Sequence, residues 1–327
     1  MSKNSETEVL LTVKDLWVKF KSGNGYINAV KNVNYNIYKG KTLGLVGESG
    51  CGKSVTTKTL LQLHDPKTTK VEGKILFEGK NIVSMGKKEM NDIRGNHISM
   101  IFQDPMTSLN PLIRVGEQVA EVIVRHQKVS KNEARQKAIK LFESVGINSP
   151  EQRYKQYPYE FSGGMQQRIM IAIALACEPD LLLADEPTTA LDVTIQAEIL
   201  KLMKKMQKKS DMSILMITHD LGVVANICDY VAVMYAGAIV EYADVHTIFE
   251  KPLHPYTQGL LSAMPTLGGA HTKLEVIEGQ PPKLTCEQIV GCPFADRCKK
   301  AFDKCKKENP VMTTKEDGHL VCCHLYQ

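Results

Sequence analysis

The chain has 327 residues, 43% hydrophobic and 24% charged, a globular balance that excludes a disordered chain, a collagen-like fibre and a long coiled coil. At roughly 150 residues per domain, the length allows one large domain or about two. Lys and Arg (41) exceed Asp and Glu (36) by a net charge of only +5, which tolerates an anionic partner without demanding nucleic acid.

In chain order, the first strong element is the short apolar run 42–46, a buried strand that ends on glycine. A helical run follows over 55–63, and 98–102 reads as another strand. Residues 104–178 lack strand candidates and read as a helical insertion. Within it, Ser130 and Glu133 form a capping-box pattern, Ala134, Ala138, Leu141, Phe142 and Val145 make one face, and Gly146 ends the helix. The longest apolar run, 169–177, falls far short of the ~18 residues of a membrane span and reads as a buried helix. Strands are expected at 180–185, 213–218 and 231–235, with a helical crossover at 220–228. Ile195, Ile199, Leu202, Met203 and Met206 make a core-facing helical stripe, and Lys204, Lys205, Lys208 and Lys209 its solvated side. Strands alternating with helices predict an α/β sheet. Pro265, Gly268, Gly269, Pro281 and Pro282 have the composition of a boundary, after which a Lys-rich, Cys-rich tail begins. The start, MSKNSETEVL, has acidic residues and no apolar signal region, so a cytosolic protein with reduced thiols is expected.

Gly47-Glu48-Ser49-Gly50-Cys51-Gly52-Lys53-Ser54 lies between a strand and a helix, the context in which G-x-x-x-x-G-K-S cradles phosphate. Successive backbone N–H groups and the helix N-terminus would receive phosphate oxygens. Lys53 would reach the β and γ phosphates and the Ser54 hydroxyl would ligate Mg²⁺, with Cys51 a small filler. Asp185 and Glu186 end the apolar strand 180–185; the first suits Mg²⁺ and the second a general base that activates water. Gln103 ends another strand and is a candidate for the metal or the water, and His219 ends a third as a candidate donor to the γ-phosphate. Ser162, Gly163 and Gly164 open the apolar helix as a second anion site. Two phosphate cradles with one nucleotide predict use in trans.

This ordered set resembles the ATP-binding subunits of ABC transporters over roughly residues 8–265. The resemblance implies a P-loop α/β fold with an N-terminal antiparallel β portion and a helical insertion. It makes 161–165 the signature, where Phe161 and Met165 replace the family's usual Leu and Gln, and Ala190-Leu191-Asp192 the D-loop. Ser162, Gly163, Gly164, Met165 and Asp192 would then act in trans. Val55 belongs to the nucleotide loop, and the adenine-stacking aromatic is Phe20, with Tyr26 the alternative.

His254-Pro255-Tyr256-Thr257, Leu260-Leu261, Gly291-Cys292-Pro293-Phe294 and Arg297-Cys298 resemble the dipeptide/oligopeptide importer branch of that family. This implies an ATPase domain over 1–265 and a tail over 266–327, with ATP and Mg²⁺ as ligands. It also implies partners: a second ATPase subunit, two membrane-spanning permeases and an extracellular solute-binding protein, with no nucleic acid expected. The chain would sit peripherally on the cytoplasmic side of the cell membrane. Six of the nine cysteines stand between 286 and 323, and in a reducing compartment such clustering points to a metal. The branch can hold a 4Fe–4S cluster there, which selects Cys292, Cys298, Cys305 and Cys323, with Cys322 and Cys286 as alternatives and zinc as the other metal. Its expected role is a structural crosslink in a tail far in sequence from the phosphate site. The rival functional reading is a soluble iron–sulfur ATPase acting on nucleic acid.

Overall fold

The computed structural model describes residues 8–23, 25–188, 191–264, 277–284, 286, 289–315 and 318–327. The chain forms two compact units, one of Val9–Ile37, Lys41–Ser84 and Ile217–Gln327 and one built mainly of Met85–Met216. The expected boundary residues Pro265, Gly268 and Gly269 lie outside the described residues.

The first unit opens with two long strands, β1 (Val9–Ser22) and β2 (Gly25–Tyr38). β3 (Thr42–Val46) follows, buried at every residue, then α1 (Lys53–Leu60), β4 (Thr69–Phe77) and β5 (Lys80–Asn81). One antiparallel sheet runs in the order β2-β1-β4-β5, with Leu11 opposite Phe77 and Phe20 opposite Thr69. Leu11 and Val13 face inward in one phase, and Leu16 and Val18 in the other. The register shifts between Lys14 and Trp17, where Asp15 takes a φ of 50°. This bulge keeps both apolar pairs on the core side across the change of phase.

The second unit holds α2 (Lys87–Ile93), β6 (Ile98–Ile101), α3 (Pro105–Ser108), α4 (Val115–Gln127), α5 (Lys131–Ser144) and α6 (Pro150–Arg153). It continues with α7 (Gly163–Leu175), β7 (Leu181–Asp185) and α8 (Val193–Ser210), and the chain leaves it within β8 (Ser213–Thr218). β6 and β7 pair in parallel, Ile98 opposite Leu181 and Ile101 opposite Ala184. Every described regular element between them is helical. The Ser130 side chain accepts the Glu133 N–H at 3.2 Å to cap α5, and Gly146 after it has a φ of 79°. Ala134, Ala138, Phe142 and Val145 are buried as the periodicity requires, joined by Ile139, while Leu141 is half-buried. Along α8, Ile199, Leu202 and Met203 are buried and the four lysines exposed.

Back in the first unit come α9 (Leu221–Ile227), β9 (Tyr230–Tyr235), β10 (Ala238–Asp244), α10 (Val245–Glu250) and α11 (Pro255–Ser262). The tail contributes α12 (Asp303–Lys307), β11 (Thr313–Thr314) and β12 (Leu320–Val321). β3 lies parallel to β9, Val46 opposite Val233. Ala236 and Gly237, with φ of 46° and 90°, turn β9 into the antiparallel β10. β12 then pairs with β10, Glu241 opposite Val321, and β11 with β12. The tail is therefore sewn to the unit by backbone pairing. Glu241, fully buried, binds both sides of that seam: it accepts the Leu253 N–H at 2.6 Å, the His254 N–H at 3.1 Å and His319 Nε2 at 2.8 Å. A buried carboxylate with three donors is satisfied where an unpaired one would be costly. Among the described residues, no helix is long and apolar enough to cross a membrane.

Candidate functional site

The loop 47–52 leaves β3 and enters α1 through two glycines whose backbone no other residue fits. Gly47 has a φ of 151°, and a Cβ there would stand 2.2 Å from the Met234 carbonyl oxygen. Gly52 caps α1 at a φ of 105°, with the Ala29 carbonyl oxygen 2.7 Å from a Cβ. Lys53 is 5% exposed, and its Nζ donates to the carbonyls of Gly47 at 2.7 Å and Glu48 at 2.9 Å. The ammonium thus closes the loop on itself. No acidic residue stands in the first turn of α1, so the positive end of the helix dipole is not cancelled there. Ser49 and Gly50 are exposed, while Ser54 and Val55 are half-buried in the first turn. Cys51 is buried 3.8 Å from Lys53 Nζ; burial pushes its thiol pKa up and Lys53 opposes the shift, as suits an inert filler. These enclosed amides and the buried cation fit a polyphosphate.

In the same unit Phe20 is half-buried near the end of β1, edge-on to His64 at 5.2 Å between ring centroids. Tyr26 lies under Lys70 Nζ at 4.3 Å. His219 is exposed just past β8.

In the other unit, the parallel pairing of β6 and β7 brings Gln103 and Glu186 together, the Gln103 amide Nε2 donating to Glu186 Oε2 at 3.0 Å. Asp185 is 3% exposed, and Glu186 has a φ of 47°, an uncommon backbone state for a residue other than glycine. A carboxylate held by an amide beside a buried carboxylate fits the metal-and-base chemistry expected of the pair.

Ser162 caps α7 with extended backbone, yet its hydroxyl makes no capping bond. Ser162 and Gly163 are exposed, and a Cβ on Gly163 would meet nothing within 4 Å. Gly164 is tighter, with Ile195 Cγ2 at 3.0 Å from a Cβ. Phe161 is buried with the Arg153 guanidinium 5.4 Å from its ring centroid, so the larger side chain is accommodated in the unit. Met165 is half-buried. Asp192 caps α8 by accepting the Ile195 N–H at 2.9 Å, a local role that sequence reading did not assign. Ala190 lies outside the described residues.

The tail holds the residue that sequence reading missed. The Arg297 guanidinium grips the Glu48 carboxylate with two bonds, Nη1 to Oε2 at 2.6 Å and Nη2 to Oε1 at 2.9 Å. The tail, far from this loop in sequence, is therefore bonded to it in the fold. Arg297 was visible in sequence only as the neighbour of Cys298, and Glu48 only as a variable position of the loop motif. Among the cysteines, burial pushes the Cys292 thiol up to about 12, with Cys305, Cys323 and Cys322 close enough to add to the effect. Cys323 senses Cys298 and Cys305 in the same way. Cys322, raised to about 11 mainly by burial, donates its thiol to the Pro310 carbonyl at 3.3 Å. Cys286 is exposed beside Ser22, 3.9 Å from its carbonyl oxygen. Among the described residues, no three His, Cys, Asp or Glu side chains are grouped so that they could hold a metal ion.

Known proteins match this arrangement along its length. A family model described as ABC transporter matches residues 30–189, and one described as oligopeptide/dipeptide transporter, C-terminal region, matches 240–305. The dipeptide transport ATP-binding protein DppD of Bacillus subtilis is 51% identical over 97% of this chain and 95% of its own length. The oligopeptide transport ATP-binding protein OppD of the same organism is 54% identical over 95% of this chain and 87% of its own. Among solved structures, the ATP-binding cassette MJ0796, a dimer in a post-hydrolysis state with ADP and Pi, superposes with a TM-score of 0.65 at 28% identity, covering 72% of this chain and 98% of that one. Those matches, together with the glycine-enclosed loop and the carboxylate held by Gln103, establish that the chain belongs to the ATP-binding subunits of ABC transporters, in their oligopeptide/dipeptide branch.

Proposed function

We propose that this subunit hydrolyses ATP to drive import of di- and oligopeptides, on the cytoplasmic side of the cell membrane. Its partners are a second ATPase subunit, two membrane-spanning permeases and an extracellular solute-binding protein. Near full-length identity to dipeptide and oligopeptide transport ATP-binding proteins carries this reading. The nucleic-acid alternative finds no support in relatives named for transport.

In this reading, Gly47, Ser49, Gly50, Cys51, Gly52, Lys53, Ser54 and Val55 receive the phosphates, and Phe20 stacks on the adenine. Ser54, Gln103 and Asp185 hold Mg²⁺, which when bound neutralises charge on the phosphate oxygens. Glu186 takes the proton of the attacking water, oriented by the Gln103 amide, and His219 donates to the γ-phosphate. Ser162, Gly163, Gly164, Met165 and Asp192 of one protomer complete the site of the other. Glu186→Gln should retain ATP binding while steady-state hydrolysis falls by about 10²–10⁴. Near-normal turnover would remove Glu186 from the base role.

The tail is proposed to hold a 4Fe–4S cluster on Cys292, Cys298, Cys305 and Cys323. The influence of Cys305 and Cys323 on Cys292, and of Cys298 and Cys305 on Cys323, supports the set, with Cys322, which also acts on Cys292, as the alternative fourth ligand. A cube takes its thiolates at separate corners, wider apart than the ligands of one ion. Ligation would require the four thiols to release their protons. Protein purified without oxygen should be brown with equal iron and sulfide, and Cys298→Ser should lose both. Colourless wild-type protein without sulfide would reject the cluster.

A further inference from the structure

Glu48 places a carboxylate within the loop proposed to receive phosphates. Its carboxylate adds a negative charge directly beside the backbone that must accept more of them, and like charges at short range oppose binding. The fold answers that charge from the tail. Arg297 takes both carboxylate oxygens at 2.6 and 2.9 Å, and its side chain is only 6% exposed. The guanidinium is itself fixed: Nε donates to the Glu278 carbonyl at 3.0 Å and Nη1 to the Tyr235 hydroxyl at 3.3 Å. The pair is forked, with Arg297 buried and Glu48 half-buried, so it is directional and only partly screened by salt.

The remaining groups of Glu48 are held as well. Its N–H donates to the Tyr256 hydroxyl at 2.9 Å, and its carbonyl accepts Lys53 Nζ at 2.9 Å. Tyr256 and Tyr235 pack at 4.7 Å between ring centroids, and Phe294 lies against both at 5.4 and 5.3 Å. Phe294 stands between Cys292 and Cys298 in the chain, so one aromatic cluster joins the cysteine segment to the base of the loop.

We infer that Arg297 is a positioning residue of the nucleotide site, which cancels the Glu48 charge and fixes the phosphate loop, and so makes the cysteine tail a determinant of ATP affinity. The inference rests on the assignment of residues 47–54 as the phosphate site. It gives a sign that mere structural support would not. Once Arg297 is gone, the harm comes from the bare Glu48 carboxylate, and neutralising that carboxylate must repair it.

The test uses the full-length chain, with ATP titrations and steady-state kinetics. Arg297→Ala should raise Kd and KM for ATP about tenfold with kcat within about twofold, the scale expected of one exposed like charge. Arg297→Lys, which keeps the charge and loses the fork, should weaken ATP about threefold. Glu48→Gln alone removes the charge but also part of the fork, and should bind ATP within about threefold of wild type. The double variant Glu48→Gln/Arg297→Ala should bind it better than Arg297→Ala, recovering most of the loss. Wild-type affinity in Arg297→Ala, or a double variant as weak as that single one, would overturn the inference. If Arg297→Ala does not fold by thermal melt, the decision passes to Arg297→Lys, where unchanged affinity would overturn it. Lys53→Ala separates the two layers. Retained ATP affinity in that variant would sink the phosphate-loop assignment itself, whereas its loss beside an unaffected Arg297→Ala would sink only the role of Arg297.

Discussion

The start of α1, capped by Gly52, and the start of α7, opened by Gly163 and Gly164, are built in opposite ways. The start of α1 is enclosed: Lys53 is 5% exposed, and the Met234 and Ala29 carbonyls stand 2.2 and 2.7 Å from where Cβ atoms would be on Gly47 and Gly52. The start of α7 is open, with Ser162 and Gly163 exposed and nothing within 4 Å of a Cβ on Gly163. Both offer N–H groups and the positive end of a helix dipole. The enclosed one is walled by its own unit. The open one has a serine that makes no capping bond and a first glycine with free space around it, with Gly164 behind it packed on Ile195.

Breaking the enclosed site should have the largest effect. Gly47→Ala drives a Cβ against a backbone oxygen that has no side-chain freedom to yield, at a φ of 151°. ATP affinity should fall at least about 100-fold in a titration, since the loop must deform before it can bind. Near wild-type affinity would show that the wall is dispensable.

Mixing protomers comes next. A dimer of a Ser162→Arg protomer and a Lys53→Ala protomer keeps one composite site, and each variant alone keeps none. Hydrolysis in the mixture should recover to about a quarter of wild type if pairing is random and each composite site works independently. No recovery where mixed dimers form would refute completion by a partner.

The smallest effect separates two serine caps of the same unit. The Ser130 side chain accepts the Glu133 N–H at 3.2 Å, so Ser130→Ala should cost about 1 kcal/mol in denaturant unfolding. Ser162 makes no such bond, so Ser162→Ala should change stability by only a few tenths of a kcal/mol while lowering hydrolysis. Equal costs would mean that Ser162 is an ordinary cap.

Much of the fold was legible because it rests on local rules. β3 and β8 have the bounds that their apolar runs predicted, and β7 and β9 differ from theirs by one residue at the start. A continuous apolar run can be buried on both faces, and few other local structures allow that. The Ser130 cap and the Gly146 stop of α5 were equally plain. β1 was not resolved from its pattern, because the bulge at Asp15 changes its phase halfway along and neither half alternates for long. The short tail strands β11 and β12 were also unreadable. Two residues carry no periodicity, and they are strands only because the edge of β10 is there to receive them.

The chemistry of the site divides along the same line. The glycines, Lys53 and Ser54 occur in one contiguous stretch whose conformation depends on local backbone geometry, so sequence alone was enough to propose it as the phosphate loop. Asp185 and Glu186 were likewise readable as carboxylates ending an apolar strand. That Gln103 holds Glu186 was decided by the parallel register of β6 and β7. That the tail reaches Glu48 was decided by the packing of Tyr235, Tyr256 and Phe294. Arg297 and Glu48 are 249 positions apart, and no local rule relates side chains at that separation. An ion pair of this kind exists only after the core has placed both ends, so its residues read in sequence as two unrelated charges.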